Sequence, residues 1–148
     1  MFPPLYVHWS DMLGYAVVSM AYFEKGALVC SYLGELQVIG INEEPEENDY
    51  IMNALDDEDS GRIGRQIFIN PRDKSNIAPF IAGTPHGRKR MANCKSFRML
   101  LEVGFGGVVP IVIIVAKKNI KPGEYLFYSY DKGFPSKDFT FIEELDEE

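Results

Sequence analysis

Proline and glycine recur along this chain at intervals too short for long helices, and that spacing constrains the fold more than any other feature. Nine prolines and thirteen glycines are spread through 148 residues. Proline removes a backbone donor and glycine loosens φ, so each tends to end a regular segment. The stretches between them are rich in Val, Ile, Tyr and Phe, which suit a pleated, half-buried surface. The expectation is one mainly β domain with many short strands and a single short helix.

In chain order, strands are expected at residues 16–22, 27–33, 50–55, 65–70, 93–102 and 108–116. The first two flank Phe23-Glu24-Lys25-Gly26 and read as a hairpin. The last two read as a second hairpin around Gly104-Phe105-Gly106-Gly107. That glycine run lacks the final glycine and the following helix of a phosphate cradle, so a turn is expected. Residues 56–61 are acidic, but have no glycine at the sixth position or glutamate at the twelfth of a calcium loop. They too read as a turn. Residues 75–81 are expected to begin a short helix capped by Ser75 or Asp73 and limited by Pro79. The apolar run 108–116 contains Pro110 and is too short to cross a bilayer.

Net charge is −7, with acid concentrated at residues 43–49 and 143–148. That excludes a general phosphate-backbone binder, which needs a basic face. It fits a basic peptide partner, and it equally fits solvated acidic ends. Cys30 and Cys94, with His8 and His86, form no zinc-type spacing, and two cysteines build no disulfide framework. A reducing, intracellular setting without a secretory signal is expected.

Residues 123–131, Gly-Glu-Tyr-Leu-Phe-Tyr-Ser-Tyr-Asp, crowd aromatic residues behind Pro122. On an extended strand Tyr128 and Tyr130 share one face, and Tyr125 and Phe127 share the other. Two phenols facing one cavity can hydrogen-bond an amine. They can equally be plain packing tyrosines of a strand.

Four segments, in order, resemble the SET domain of protein lysine methyltransferases. Leu13-Gly14-Tyr15-Ala16-Val17 is similar to the Gly-x-Gly cofactor motif, with Ala16 at the second glycine. Glu24-Lys25-Gly26 through Tyr32-Leu33-Gly34-Glu35 resembles the Lys-Gly turn followed by Tyr-x-Gly. Ser75-Asn76-Ile77-Ala78-Pro79-Phe80-Ile81 is similar to the Asn-Ile/Val-Ala-Arg-Phe-Ile segment, with Pro79 in place of arginine. Residues 120–130 resemble the closing segment with its catalytic tyrosine, with Ser129 in place of aspartate. Ala82-Gly83 stands where the usual pattern has Asn-His. The plant-type enzymes that monomethylate histone H3 at lysine 27 carry Ser-Gly there. Arg88-Lys89-Arg90, Cys94, Phe134-Pro135-Ser136 and Phe139 also resemble that branch.

The resemblance implies a SET fold over residues 13–131: several small β-sheets, a short helix and a C-terminal pseudoknot. Residues 1–12 form an arm, and residues 132–148 an aromatic, then acidic, tail. The implied function is S-adenosylmethionine-dependent lysine N-methylation, with monomethylation of histone H3 as the leading case. Such a transfer needs a neutral amine in line with the sulfonium methyl, in a channel that excludes water. Tyr130 is implied as the catalytic phenol, with Tyr32 and Tyr128 as channel walls. Gly14, Tyr15, Ala16, Phe80, Ala82, Gly83 and the tail residue Phe134 are the implied cofactor-binding set, without a metal. The implied partner is a lysine-containing basic peptide in the nucleus, with no sequence-specific nucleic acid and no membrane, the oligomeric state left open. The departures at Ala16, Pro79 and Ser129 leave a second reading, a catalytically degenerate SET-like module that binds a basic peptide or chromatin partner.

Overall fold

The computed structural model describes residues 3–47, 50–84 and 89–129. In chain order the strands are β1 (Leu5–Ser10), β2 (Gly14–Ser19), β3 (Leu28–Tyr32), β4 (Glu35–Gly40), β5 (Met52–Asn53), β6 (Arg65–Asn70), β7 (Ala82–Gly83), β8 (Cys94–Val103), β9 (Gly107–Ala116) and β10 (Phe127–Ser129). Among the described residues one α-helix, α1 (Asp57–Ile63), lies between β5 and β6. The strands form three sheets: the pair β1-β2, the three-stranded β4-β6-β5, and the five-stranded β3-β9-β8-β10-β7. The mainly β architecture of several small sheets is as expected from the sequence.

Strand β6 and the long β8–β9 hairpin fall where the residue pattern puts them. The hairpin expected between residues 16–22 and 27–33 does not form. β2 pairs with β1 from Leu5↔Ser19 to Ser10↔Gly14, whereas β3 pairs with β9. The intervening turn is used differently: Phe23 exchanges backbone hydrogen bonds with Ile120, and the Gly26 N–H donates to the Ala116 carbonyl. Those long-range bonds satisfy the turn's backbone on a distant segment, so the flanking strands part. The segment read as an arm is thus largely a strand.

The acidic run expected to be a turn is α1. Asp56 caps it, accepting a hydrogen bond from the Asp59 N–H at 2.6 Å. Asp57, Glu58 and Asp59 place negative charge at the positive helix end. Gly64, at φ 76°, closes the helix with its N–H on the Ser60 carbonyl. The strand expected over residues 50–55 shortens to β5, and β4 was not anticipated. The helix expected from residue 75 is a single 3-10 turn, Ala78–Phe80, with Pro79 in its first turn. Its N-cap is Ile77, not Ser75 or Asp73, and it has no side-chain cap.

The main core joins the sheets around Val17, Tyr32, Ile69, Ile81, Ile114, Leu126 and Tyr128, and a smaller cluster of Phe97, Ile113 and Val115 lies on the β8–β9 hairpin. Cys30 and Cys94 are buried within the main core as free thiols. They pair with Ile114 and Ala116 on opposite sides of β9. Two strand spacings, about 9–10 Å, therefore separate them, too far for a disulfide. Burial pushes the Cys30 thiol up to about 12. The Cys94 thiol is pushed up as well, first by burial and then by neighbouring Cys30.

The last described strand, β10, enters parallel between β7 and β8. The expected knot-like threading, Tyr130, Phe134 and the tail lie outside the described residues.

Candidate functional site

Tyr32 ends β3, and its phenol is carried into the core, 3% exposed. Its position is held from both sides by Asn76. The Asn76 amide donates to the Ser31 carbonyl at 2.6 Å, and its oxygen accepts from the Leu33 N–H at 3.3 Å. The same oxygen accepts from the Ala78 N–H, tying the 3-10 turn to the end of β3. Tyr32 Oη donates to the Tyr50 carbonyl, which anchors the segment after the acidic loop to the same place.

Tyr128 is equally buried, and a second asparagine holds its strand. The Asn93 amide donates to the Tyr125 carbonyl at 2.8 Å, and its oxygen accepts from the Phe127 N–H at 2.9 Å. The Asn93 N–H donates to the Phe127 carbonyl. Asn93 is itself 7% exposed, so these bonds form away from competing water. On the other flank, Thr84 donates its N–H to the Tyr128 carbonyl, and β7 runs parallel to β10.

These elements enclose a cavity of about 520 Å³. Tyr32 and Tyr128 face it together with Tyr15, Phe80, Ala82 and Gly83. Met12, Leu13, Tyr50, Pro79 and Ile81 complete the wall. Six of the residues implied by resemblance thus meet in one place from four separated segments. Gly14 lies between two lining residues at φ 73°, a backbone conformation natural to glycine. Ala16 does not line the cavity; it is fully buried in β2 opposite His8. The chain takes positive φ at Gly14 and not at residue 16, so alanine is accommodated there. Pro79 sits in the first turn of a 3-10 segment, where its missing N–H costs nothing.

An aromatic series runs along the rim: Trp9 meets Tyr15 edge-on at 5.0 Å, Tyr15 meets Phe80 at 5.7 Å, and Phe80 meets Tyr50 at 6.3 Å. Tyr50, Pro79 and Phe80 also wall a second cavity of about 500 Å³ with Glu46, Glu47, Pro71, Arg72 and Ser75. Glu46 is fixed there by Arg72 at 3.1 Å and by the Asn70 amide at 3.0 Å.

Sequence reasoning missed Tyr50, Asn93 and the bracing role of Asn76. Asn76 stood inside a segment already singled out, and a polar residue before an apolar 3-10 turn was its only local signal. Tyr50 and Asn93 carried none, because their partners are 18 and 32 to 34 residues away.

The site fits a mid-sized cofactor with polar and aromatic parts. Its volume lies within the roughly 300–1,000 Å³ of small-molecule pockets. Gly14 permits close approach of a ligand to backbone, and β7, at the edge of its sheet, presents Ala82 and Gly83 from the other side. Tyr15 and Phe80 supply aromatic faces.

Comparison with known proteins bears on the family and the fold. Histone-lysine N-methyltransferase ATXR6 of Arabidopsis thaliana is 28% identical over 146 residues, covering 93% of this chain and 39% of the relative. A crystal structure of ATXR5 in complex with histone H3.1 mono-methylated on R26 superposes with a TM-score of 0.70 at 28% identity, covering 93% of this chain and 63% of that one. KRYPTONITE, solved with mCHH DNA, an H3(1–15) peptide and SAH, gives a TM-score of 0.63 at 25% identity, covering 90% of this chain and 24% of that one. The chain therefore spans about two-fifths of the length of the curated relative it matches. Residues 14–131 match the SET domain family, and the chain belongs to that family.

Proposed function

We propose that this chain is a protein-lysine N-methyltransferase that uses S-adenosylmethionine and acts on a lysine of histone H3. The observation that carries the reading is the convergence of Tyr32 and Tyr128 with Tyr15, Ala82 and Gly83 on one cavity. S-adenosylmethionine supplies an electrophilic methyl group on a sulfonium. The chain's own residues bind, align and dry the site. Backbone at Leu13–Tyr15 and Ala82–Gly83 takes the cofactor's polar end, while Tyr15 and Phe80 offer it aromatic contact.

Tyr32 and Tyr128, both nearly excluded from water, form the wall along which a lysine stem would lie. A narrow aromatic wall favours the neutral, reactive amine by removing water from the charged form. Tyr130 is the phenol assigned to the reacting methyl. A hydroxyl at Tyr128 leaves less room beside the amine than phenylalanine would, which favours a single methylation. In the neighbouring cavity Arg72 pairs with Glu46, and Glu47 supplies a further carboxylate toward the basic residues that flank the lysine. Acting on histone H3 in chromatin, it would work in the nucleus.

The test is methyl transfer from labelled S-adenosylmethionine to nucleosomes and free histones, with Tyr130→Phe alongside. Transfer to H3 that drops at least about a hundredfold in the variant is expected. Of the departures at Ala16, Pro79 and Ser129, the last keeps one rival in play, a domain that binds without turnover. Cofactor binding by calorimetry with no transfer to any protein of a nuclear extract would establish that rival instead.

A further inference from the structure

Glu46 belongs to the acidic stretch, yet its carboxylate is engaged within the protein. One of its oxygens takes the Asn70 amide at 3.0 Å and the Arg72 guanidinium at 3.1 Å. Asn70, the last residue of β6, is 3% exposed. Its amide also meets the Gln37 side chain of β4 at 3.3 Å, and its side-chain oxygen accepts from the Arg72 N–H at 3.0 Å. Its backbone carbonyl lies against Gly34, two residues after Tyr32. A bond from a buried amide to a carboxylate is charge-assisted and directional. The Arg72 side chain is 61% exposed, so its ion pair with Glu46 contributes less.

The segment held by Glu46 runs on to the tyrosine cavity. Tyr50 is four residues further, and Tyr32 Oη donates to its carbonyl. Beyond Tyr50, Met52 and Asn53 pair with Ile69 and Phe68 of β6. Ahead of Glu46, the Gln66 amide near the start of β6 donates to the carbonyls of Gly40, Ile41 and Glu43. β6 therefore carries this segment at both ends. Among the described residues, the Glu46–Asn70 bond is the attachment to β6 nearest to Tyr50 on its N-terminal side.

The Tyr50 carbonyl decides what Tyr32 can do. A carbonyl only accepts, so it commits the one proton of the phenol. The Tyr32 oxygen then acts as an acceptor for an amine N–H, which leaves the amine lone pair for the sulfonium methyl. A phenol released from Tyr50 donates to that lone pair instead and blocks the nucleophile. We propose, resting on the methyltransferase reading, that Asn70 is a positioning residue: through Glu46 it fixes the Tyr50 carbonyl as the acceptor for Tyr32, and so keeps Tyr32 an acceptor toward the substrate amine.

Methyl transfer to H3 and cofactor calorimetry on the full chain test this. Asn70→Asp sets a carboxylate against Glu46, and Glu46→Ala removes the acceptor. Each is expected to lower kcat at least about tenfold, with the cofactor Kd within about twofold of wild type. Glu46→Ala alters a partly exposed side chain and stays readable where Asn70→Asp folds poorly. Adding Glu46→Gln to Asn70→Asp reverses donor and acceptor, and is expected to bring kcat back to within about threefold of wild type. In a Tyr32→Phe background Asn70→Asp is expected to add less than about a twofold loss, because the bond it acts through is already gone. A full further loss in that background, no recovery in the double variant, or a raised peptide KM at unchanged kcat overturns the proposal. A wild-type chain that transfers no methyl group sinks the methyltransferase reading first, and hydrogen exchange then decides whether Asn70 positions Tyr50. Faster exchange over residues 41–55 in Asn70→Asp, reversed in the double variant and absent from β8 and β9, supports that role. Unchanged exchange over residues 41–55 overturns it.

Discussion

Two asparagines brace the site at the scale of single residues, and a buried thiol marks the core behind it. Asn76 brackets Tyr32, and Asn93 brackets the strand of Tyr128, each by donating and accepting with one amide. Asn93→Ala leaves the Phe127 N–H and the Tyr125 carbonyl without that partner in a buried setting. A loss of about 2–4 kcal/mol is expected in urea unfolding, since each orphaned group costs about 1–2 kcal/mol. A change below about 0.5 kcal/mol would show that water replaces the amide. Cys30 gives a pH signature. Its thiol titrates from about 12 in the folded state against an ordinary 9.0, so the folded state holds a proton that the unfolded chain releases. Stability from this group is complete below about pH 9 and falls as pH rises toward 12, by up to about 1.4 kcal/mol per pH unit. The stability difference between wild type and Cys30→Ala should therefore shrink between about pH 8 and about pH 10.5. Parallel losses in the two proteins would contradict it. Gly34 shows why the Tyr-x-Gly spacing takes glycine here: a Cβ would meet the Asn70 carbonyl oxygen at 2.6 Å.

Among the elements, α1 depends on its ends more than on its short interior. Seven residues cannot sustain an isolated helix, so capping and docking decide it. Asp56→Ala removes the bond to the Asp59 N–H and is expected to cost about 1 kcal/mol, measured by thermal unfolding, whereas Asp56→Asn retains most of it. Equal losses in both variants would assign the effect to charge, through the attraction of Arg98 to Asp56, instead of capping. The Asp-x-x-Asp cap and the Gly64 stop were present in the sequence, but acids in a row also suit a turn. The β8–β9 hairpin was legible because its partners are adjacent in the chain and its turn holds glycines. The failed hairpin at residues 23–26 had the same local signature, and its turn is claimed instead by Ala116 and Ile120.

At the scale of the whole molecule, β10 joins β7 and β8 within the five-stranded sheet from a position late in the chain. Its pairing with Ala82-Gly83 and with Cys94-Lys95 closes loops of more than thirty residues. Truncation after Lys121 removes that strand along with buried Leu126 and Tyr128. The expected result is loss of cooperative unfolding by calorimetry, because a sheet split at an inner strand exposes both its ladders and its core. A truncated chain with a sharp transition near the wild-type temperature would show that β10 docks on an already folded body. By itself the sequence determined the β-rich class, the strand at residues 65–70, the β8–β9 hairpin and the ordered segments that carry the SET resemblance. Each depends on residue type and on neighbours near in the chain. Only the tertiary structure decided that β1 takes β2 from β3, that the acidic run is helical, and that Tyr50, Asn76 and Asn93 serve the tyrosine cavity. Those outcomes depend on hydrogen bonds closed over long loops, whose partners local propensity and spacing do not encode.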